Sequence, residues 1–96
     1  MTRSDGDRIE VSLILEMYFA YLAQSKKDPN KFYKGHTEDL QIRINQHNSG
    51  LTKSISHLIP MRIIYYEEFE TRERAIETEK YWKTAAGRRY LRSPPG

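Results

Sequence analysis

Not one cysteine occurs in these 96 residues, so a hydrophobic core is all that can hold the fold together. No disulfide framework, thiolate zinc site or cysteine nucleophile is available. Apolar residues make up 38% of the chain, enough for one two-layer core, and this length leaves no room for a second. The absence of cysteine fits a reducing compartment, and a cytoplasmic location is expected. The longest nearly apolar run, Val11 to Ala23, is 13 residues long and carries Glu16, short of the ~20 that a membrane helix needs. No membrane partner is expected. Met1 to Arg8 holds two acids, and no small-residue cleavage site follows the apolar run, so no secretory leader is expected. The net charge of +3 tilts the chain toward anionic partners such as nucleic acid.

The order of signals along the chain predicts β-β-α-β-α-α, an α+β sandwich on a three-stranded, mainly antiparallel sheet. Residues 1–16 read as an N-terminal extension, 17–92 as the domain and 93–96 as a tail. The alternation Ile9, Val11, Leu13, Leu15 within the extension suits a strand or a short helix. Met17 to Ala23 and Lys31 to Gly35 flank the turn-forming Ser25-Lys-Lys-Asp-Pro-Asn30 and predict a hairpin. Thr37 is the expected N-cap of a helix over 38–48, stopped by Asn48-Ser49-Gly50. Pro60 ends a polar loop, and Arg62 to Phe69 predicts the third strand. Thr71 caps a helix expected to reach Ala86, broken by Gly87, and a last turn or short helix spans Arg88 to Arg92.

Winding the later helix at 100° per residue puts a carboxylate on its apolar side. With Ala75 at zero, Trp82 falls at about −20°, Ala86 at about +20° and Glu79 at about +40°. A carboxylate facing a core has to be protonated, paired with a cation or bound to a metal. The earlier helix shows a similar intrusion: with Leu40 at zero, Ile44 lies at about +40°, His47 at about −20° and Arg43 at about −60°. Glu, Arg and His turned inward from two helices suit chemistry on a phosphate, the carboxylate holding a divalent cation and the guanidinium forking onto phosphate oxygens. Of the seven tyrosines, Tyr18, Tyr65, Tyr66 and Tyr90 read as packing residues. Tyr21 and Tyr33 sit one on each hairpin strand, where a phenol can point over one end of the sheet.

Four segments, in order, carry a resemblance. Phe19-Ala20-Tyr21, Tyr33-Lys34-Gly35, the helix Leu40-x-x-Arg43-x-x-x-His47-Asn48-x-Gly50, and Tyr66-Glu67-Glu68 leading to Ala75-x-x-x-Glu79-Lys80-x-x-Lys83 together resemble the GIY-YIG nuclease domain in its short stand-alone form. The likeness covers residues 17–92. It implies metal-dependent cleavage of DNA phosphodiester bonds, with DNA as the partner and Mg²⁺ or Mn²⁺ as the cofactor. Carried over by position, Tyr21 becomes the general base and Tyr33 orients the water or the scissile phosphate, although the resemblance does not decide which phenol takes the proton. Arg43 neutralises charge on the phosphate, His47 hydrogen-bonds a tyrosine or the phosphate, and Glu79 holds the metal.

Nucleic-acid contacts are expected from His36, Lys34, Lys53 and Arg88, and Lys26, Lys27, Lys31 and Arg89 extend the basic surface. Phe19 stands where the first motif has glycine, and Lys34 where the second has an aliphatic residue. Strand alternation should send Lys34 to the face opposite Tyr33. Two other readings fit the same residues. One is a non-catalytic nucleic-acid binding module, and the other is an interaction domain that forms a homodimer; for the nuclease, sequence specificity is expected from the small domain itself or from a partner protein.

Overall fold

The computed structural model describes residues 17–51 and 53–92, and the expectations for 1–16 and 93–96 lie outside them. β1 (Tyr18–Ser25), β2 (Phe32–Thr37) and β3 (Met61–Phe69) form one antiparallel sheet in the order β2-β1-β3. Ser25 closes the hairpin turn and is buried. Its hydroxyl donates to the Leu58 carbonyl at 2.6 Å and accepts from the backbone N–H groups of Lys27 and Asp28. One side chain thereby fixes the turn and ties it to the 3₁₀ turn Lys53–Leu58.

β1 is buried through Ala20, Tyr21, Leu22 and Ala23 because both faces of the central strand are covered. β3 instead alternates half-buried with exposed residues, as an edge strand does. Its register against β1 jumps from Leu22↔Tyr65 to Ala23↔Ile63, leaving Ile64 as the extra residue of a bulge. The alternation separates two tyrosines expected to pack alike: Tyr65 turns inward, and Tyr66 stays 47% exposed with its ring edge-on to Phe19.

Three helices flank the sheet, in the expected β-β-α-β-α-α order: α1 (Leu40–Asn48), α2 (Arg72–Trp82) and α3 (Ala85–Arg92). α1 covers the face bearing Tyr21 and Ala23, where Leu40, Ile44, Ile55, Met61 and Ile63 join the core. Asn48 clamps its end to β3: the side-chain NH₂ donates to the Met61 carbonyl at 2.9 Å, and the Met61 N–H donates to Asn48 Oδ1 at 2.7 Å. α2 and α3 cover the opposite face, where Trp82 packs on Tyr65 and the Tyr90 hydroxyl donates to Glu67.

Two boundaries differ from expectation. Asp39, not Thr37, caps α1, accepting from the Ile42 N–H at 3.0 Å; Thr37 instead uses its hydroxyl to accept from the Asp39 N–H. α2 stops at Trp82 rather than Ala86, and Gly87 does not break it. Thr84 is the turning point, because its hydroxyl donates to the Tyr81 carbonyl and accepts from the Gly87 N–H. Gly87 is buried inside α3, where the start of that helix crosses the end of α2. A Cβ there would lie 1.9 Å from the Tyr81 carbonyl oxygen and 2.5 Å from Trp82 Cα. Glycine is required for close approach, not for helix termination. Gly87→Ala should therefore destabilise the fold by about 1–3 kcal/mol, read as a lower urea midpoint at unchanged slope, despite the better helix propensity of alanine.

Candidate active site

The hairpin and α1 bring Tyr21, Tyr33, Arg43 and His47 together. Tyr21 lies directly opposite Gly35 in the β1–β2 ladder, and a Cβ on residue 35 would sit 2.6 Å from the Tyr21 hydroxyl. The absence of a side chain at that position lets the phenol lie across β2. Its oxygen shares a 2.7 Å hydrogen bond with His47 Nε2 and accepts from Arg43 Nε at 3.3 Å. The i, i+4 spacing on α1 puts both partners over the same phenol. Arg43 also donates through Nη1 to Gln46, and the Tyr33 ring meets His47 edge-on with centroids 5.0 Å apart.

Burial sets the protonation states. Tyr21 and His47 are both fully enclosed. Burial pushes the Tyr21 phenol up to about 12 against the pull of Arg43, so it is neutral at physiological pH. Burial pushes His47 down to about 4, and the Arg43 charge acts in the same direction. Burial also opposes the charge of Arg43, but the Tyr21 and Tyr33 hydroxyls outweigh it and hold the guanidinium above its ordinary range. The cluster thus carries a single positive charge on a neutral aromatic and imidazole support.

Glu79 comes from α2 on the other side of the sheet, inside the apolar stripe as the helical wheel requires; its side chain is 15% exposed. Oε1 meets His36 Nδ1 at 2.6 Å and Oε2 accepts from Lys83 Nζ at 2.6 Å. Burial pushes the carboxyl upward, but Lys83 and His36 outweigh it, so the group is a carboxylate with a lowered pKa. The carboxylate lies close enough to the Tyr21 phenol to oppose its ionisation, without touching it. Sequence reasoning expected His36 to meet phosphate, whereas its Nδ1 holds Glu79. Lys83, present in the quoted motif, was not among the expected site residues, although its i, i+4 spacing from Glu79 was the available signal.

Lys34 falls on the face opposite Tyr33, beside Arg88 and Lys83. Lys53 is exposed at the start of the 3₁₀ turn, apart from this group. Among the described residues, no group of three His, Cys, Asp or Glu side chains can hold a metal ion, and at this place Glu79 offers a single carboxylate from them. Hydrated Mg²⁺ or Mn²⁺ accepts that arrangement, because such ions keep most of their waters and take the rest from phosphate. The fit requires His36 or Lys83 to give up an oxygen of Glu79.

Residues 17–91 match the model of the GIY-YIG catalytic domain. The chain belongs to the GIY-YIG family. Its domain is of the nuclease-type fold, and no helix among the described residues is long and apolar enough to cross a membrane. Among its relatives is the UPF0213 protein YazA of Bacillus subtilis (strain 168), 33% identical over 69% of this chain and 66% of that protein. A UPF0213 protein of Listeria welshimeri is 36% identical over 60% of this chain and 66% of that protein. One of Streptococcus pyogenes serotype M5 is 32% identical over 67% of this chain and 71% of that protein. The match thus spans just under two thirds of the Bacillus and Listeria proteins.

The buried imidazole makes stability depend on pH. A histidine held near 4 when folded binds its proton less readily than the unfolded residue at about 6.5, so the unfolded state takes up protons first. Stability from this group is intact above pH 6.5 and falls as the pH drops toward 4. Urea unfolding of the wild type should weaken across that window, and His47→Gln should flatten the slope. The His47 ring signals should titrate near pH 4 by NMR.

Proposed function

We propose that this protein is an endonuclease that hydrolyses DNA phosphodiester bonds with the help of a divalent cation. The observation that carries the reading is the guanidinium of Arg43, fixed by a buried phenol and an imidazole beside the more exposed Tyr33, with the Glu79 carboxylate across the sheet close enough to bear on the Tyr21 phenol. A scissile phosphate binds Arg43 through the donors that Tyr21 leaves free, and the charge growing on its oxygens is met by a group already in place.

The burial of Tyr21 supports exchanging the roles expected of the two phenols. Water reaches Tyr33, which is half-buried, more readily than the enclosed Tyr21 hydroxyl. Tyr33 is the base that takes the proton from the water attacking in line with the leaving 3′ oxygen. Tyr21 and His47 act as positioning residues that hold Arg43. Glu79 is the residue that would hold Mg²⁺ or Mn²⁺, and the cation when bound supplies charge neutralisation at the leaving oxygen. His36 and Lys83 orient the carboxylate.

A second reading rests on the closure of Glu79 between His36 and Lys83, an arrangement complete without a metal. On that reading the scaffold binds nucleic acid without cutting it. Supercoiled plasmid incubated with the protein and Mg²⁺ or Mn²⁺ separates the two. Nicking should appear, vanish in Glu79→Ala, and fall by about 10²–10³-fold in Arg43→Ala and 10²–10⁴-fold in Tyr33→Phe. Retarded plasmid without nicking in any of these proteins supports the binding module.

A further inference from the structure

A groove of about 390 Å³ runs between α3 and the sheet face that carries His36. Lys34, Arg88 and Arg92 line it over apolar walls that include Leu22, Phe32 and Leu91. Among the described residues none of the three cations has an acidic partner within salt-bridge distance. Mutual repulsion is visible: burial lowers the pKa of Lys34, and Arg88 and Lys83 lower it further. Three unneutralised cations converging on one concave surface call for an anion. The Phe32 ring at the same groove is 47% exposed, so the occupant also has a flat apolar part.

The groove continues the candidate active site. His36, Lys34 and Phe32 alternate along one face of β2, so each step is two residues, about 7 Å, close to the length of an extended nucleotide. His36 leads to Glu79, and Glu79 to Lys83, which shares the surroundings of Lys34 and Arg88. From the nuclease reading, on which its choice of substrate rests, we infer that this groove receives an unpaired nucleotide flanking the cleaved bond. Its base stacks on Phe32 and its phosphate lies among Lys34, Arg88 and Arg92. A base inside a duplex cannot offer its face to a side chain, whereas single-stranded nucleic acid is held by this combination of aromatic platform and cationic track. The protein therefore prefers DNA whose strands are locally separated.

The test measures anisotropy of a labelled thymidine oligonucleotide, and of its duplex with the complementary adenine strand, against the full chain in EDTA. The single strand should bind at least tenfold more tightly than the duplex. Phe32→Ala should weaken the single strand by about tenfold while leaving the duplex unchanged. Arg88→Ala with Arg92→Ala should weaken both and flatten the salt dependence. Thermal unfolding confirms that the Phe32 variant is folded, which the exposure of that ring favours. Equal affinity for the two oligonucleotides, or no effect of Phe32→Ala, overturns the inference. It is also overturned if the arginine variant loses only its sedimentation with phosphatidylglycerol vesicles and keeps its affinity for the single strand. Plasmid nicking by the wild type, measured in parallel with Mg²⁺, keeps the two readings apart. Nicking with no single-strand preference removes the groove and leaves the nuclease, and single-strand preference with no nicking does the reverse.

Discussion

The hydroxyl of Tyr21 is the point about which the site is arranged. A buried phenol has to satisfy its oxygen within the protein, and the partners available are the imidazole and the guanidinium one turn apart on α1. That requirement places α1 over β1 at a defined rotation. It also explains the glycine opposite, because any side chain on residue 35 would occupy the space of the phenol. Asn48 then fixes the far end of the same helix through two hydrogen bonds to the Met61 backbone. Position and rotation of the helix are both set by polar groups, which have directional demands that apolar packing lacks.

The sheet separates two electrostatic regimes. On the α1 side, a cation sits among neutral groups whose burial keeps them neutral. On the α2 side, a carboxylate sits among donors and a row of lysines and arginines. The two are close enough for Glu79 to influence the Tyr21 phenol but share no hydrogen bond. A phosphate reaching Arg43 with a cation at Glu79 would bring opposite charges to both sides at once. Lys83 is the counter-charge that Glu79 has at the end of its own helix.

Much of this was legible in the sequence, because the helical period exposes polar residues that turn inward. Arg43, His47 and Glu79 could be found by angle, and the structure places them on the predicted sides of their helices. Helix ends were less legible. Thr37 and Asp39 are both good caps, and the choice depends on whether the strand has finished, which pairing of Thr37 with Phe19 extends. Gly87 looked like a terminator because glycine usually is one, but only the crossing of α2 and α3 reveals its packing role. The partner of Glu79 was hidden for a similar reason. His36 lies 43 positions away in the chain, and no periodicity links a strand residue to a helix on the opposite sequence half.

One atom in the cluster is left over. His47 Nδ1 is buried with no hydrogen-bond partner among the described residues. The neutral ring bears one proton, and either tautomer leaves one buried hydrogen unpaired: Nδ1–H if Tyr21 donates to Nε2, or the Tyr21 O–H if Nε2 donates to Tyr21, and the second choice strands the Nδ1 lone pair as well. The arrangement with fewer unpaired groups has Tyr21 donating to His47 Nε2 while its oxygen accepts from Arg43. The pKa of the imidazole, pushed down to about 4, is consistent with a ring that works as a fixed neutral acceptor and does not shuttle protons. The histidine therefore contributes to the site by orientation: it holds the Tyr21 hydroxyl against Arg43, and in the proposed mechanism proton transfer falls to the more exposed phenol beside it.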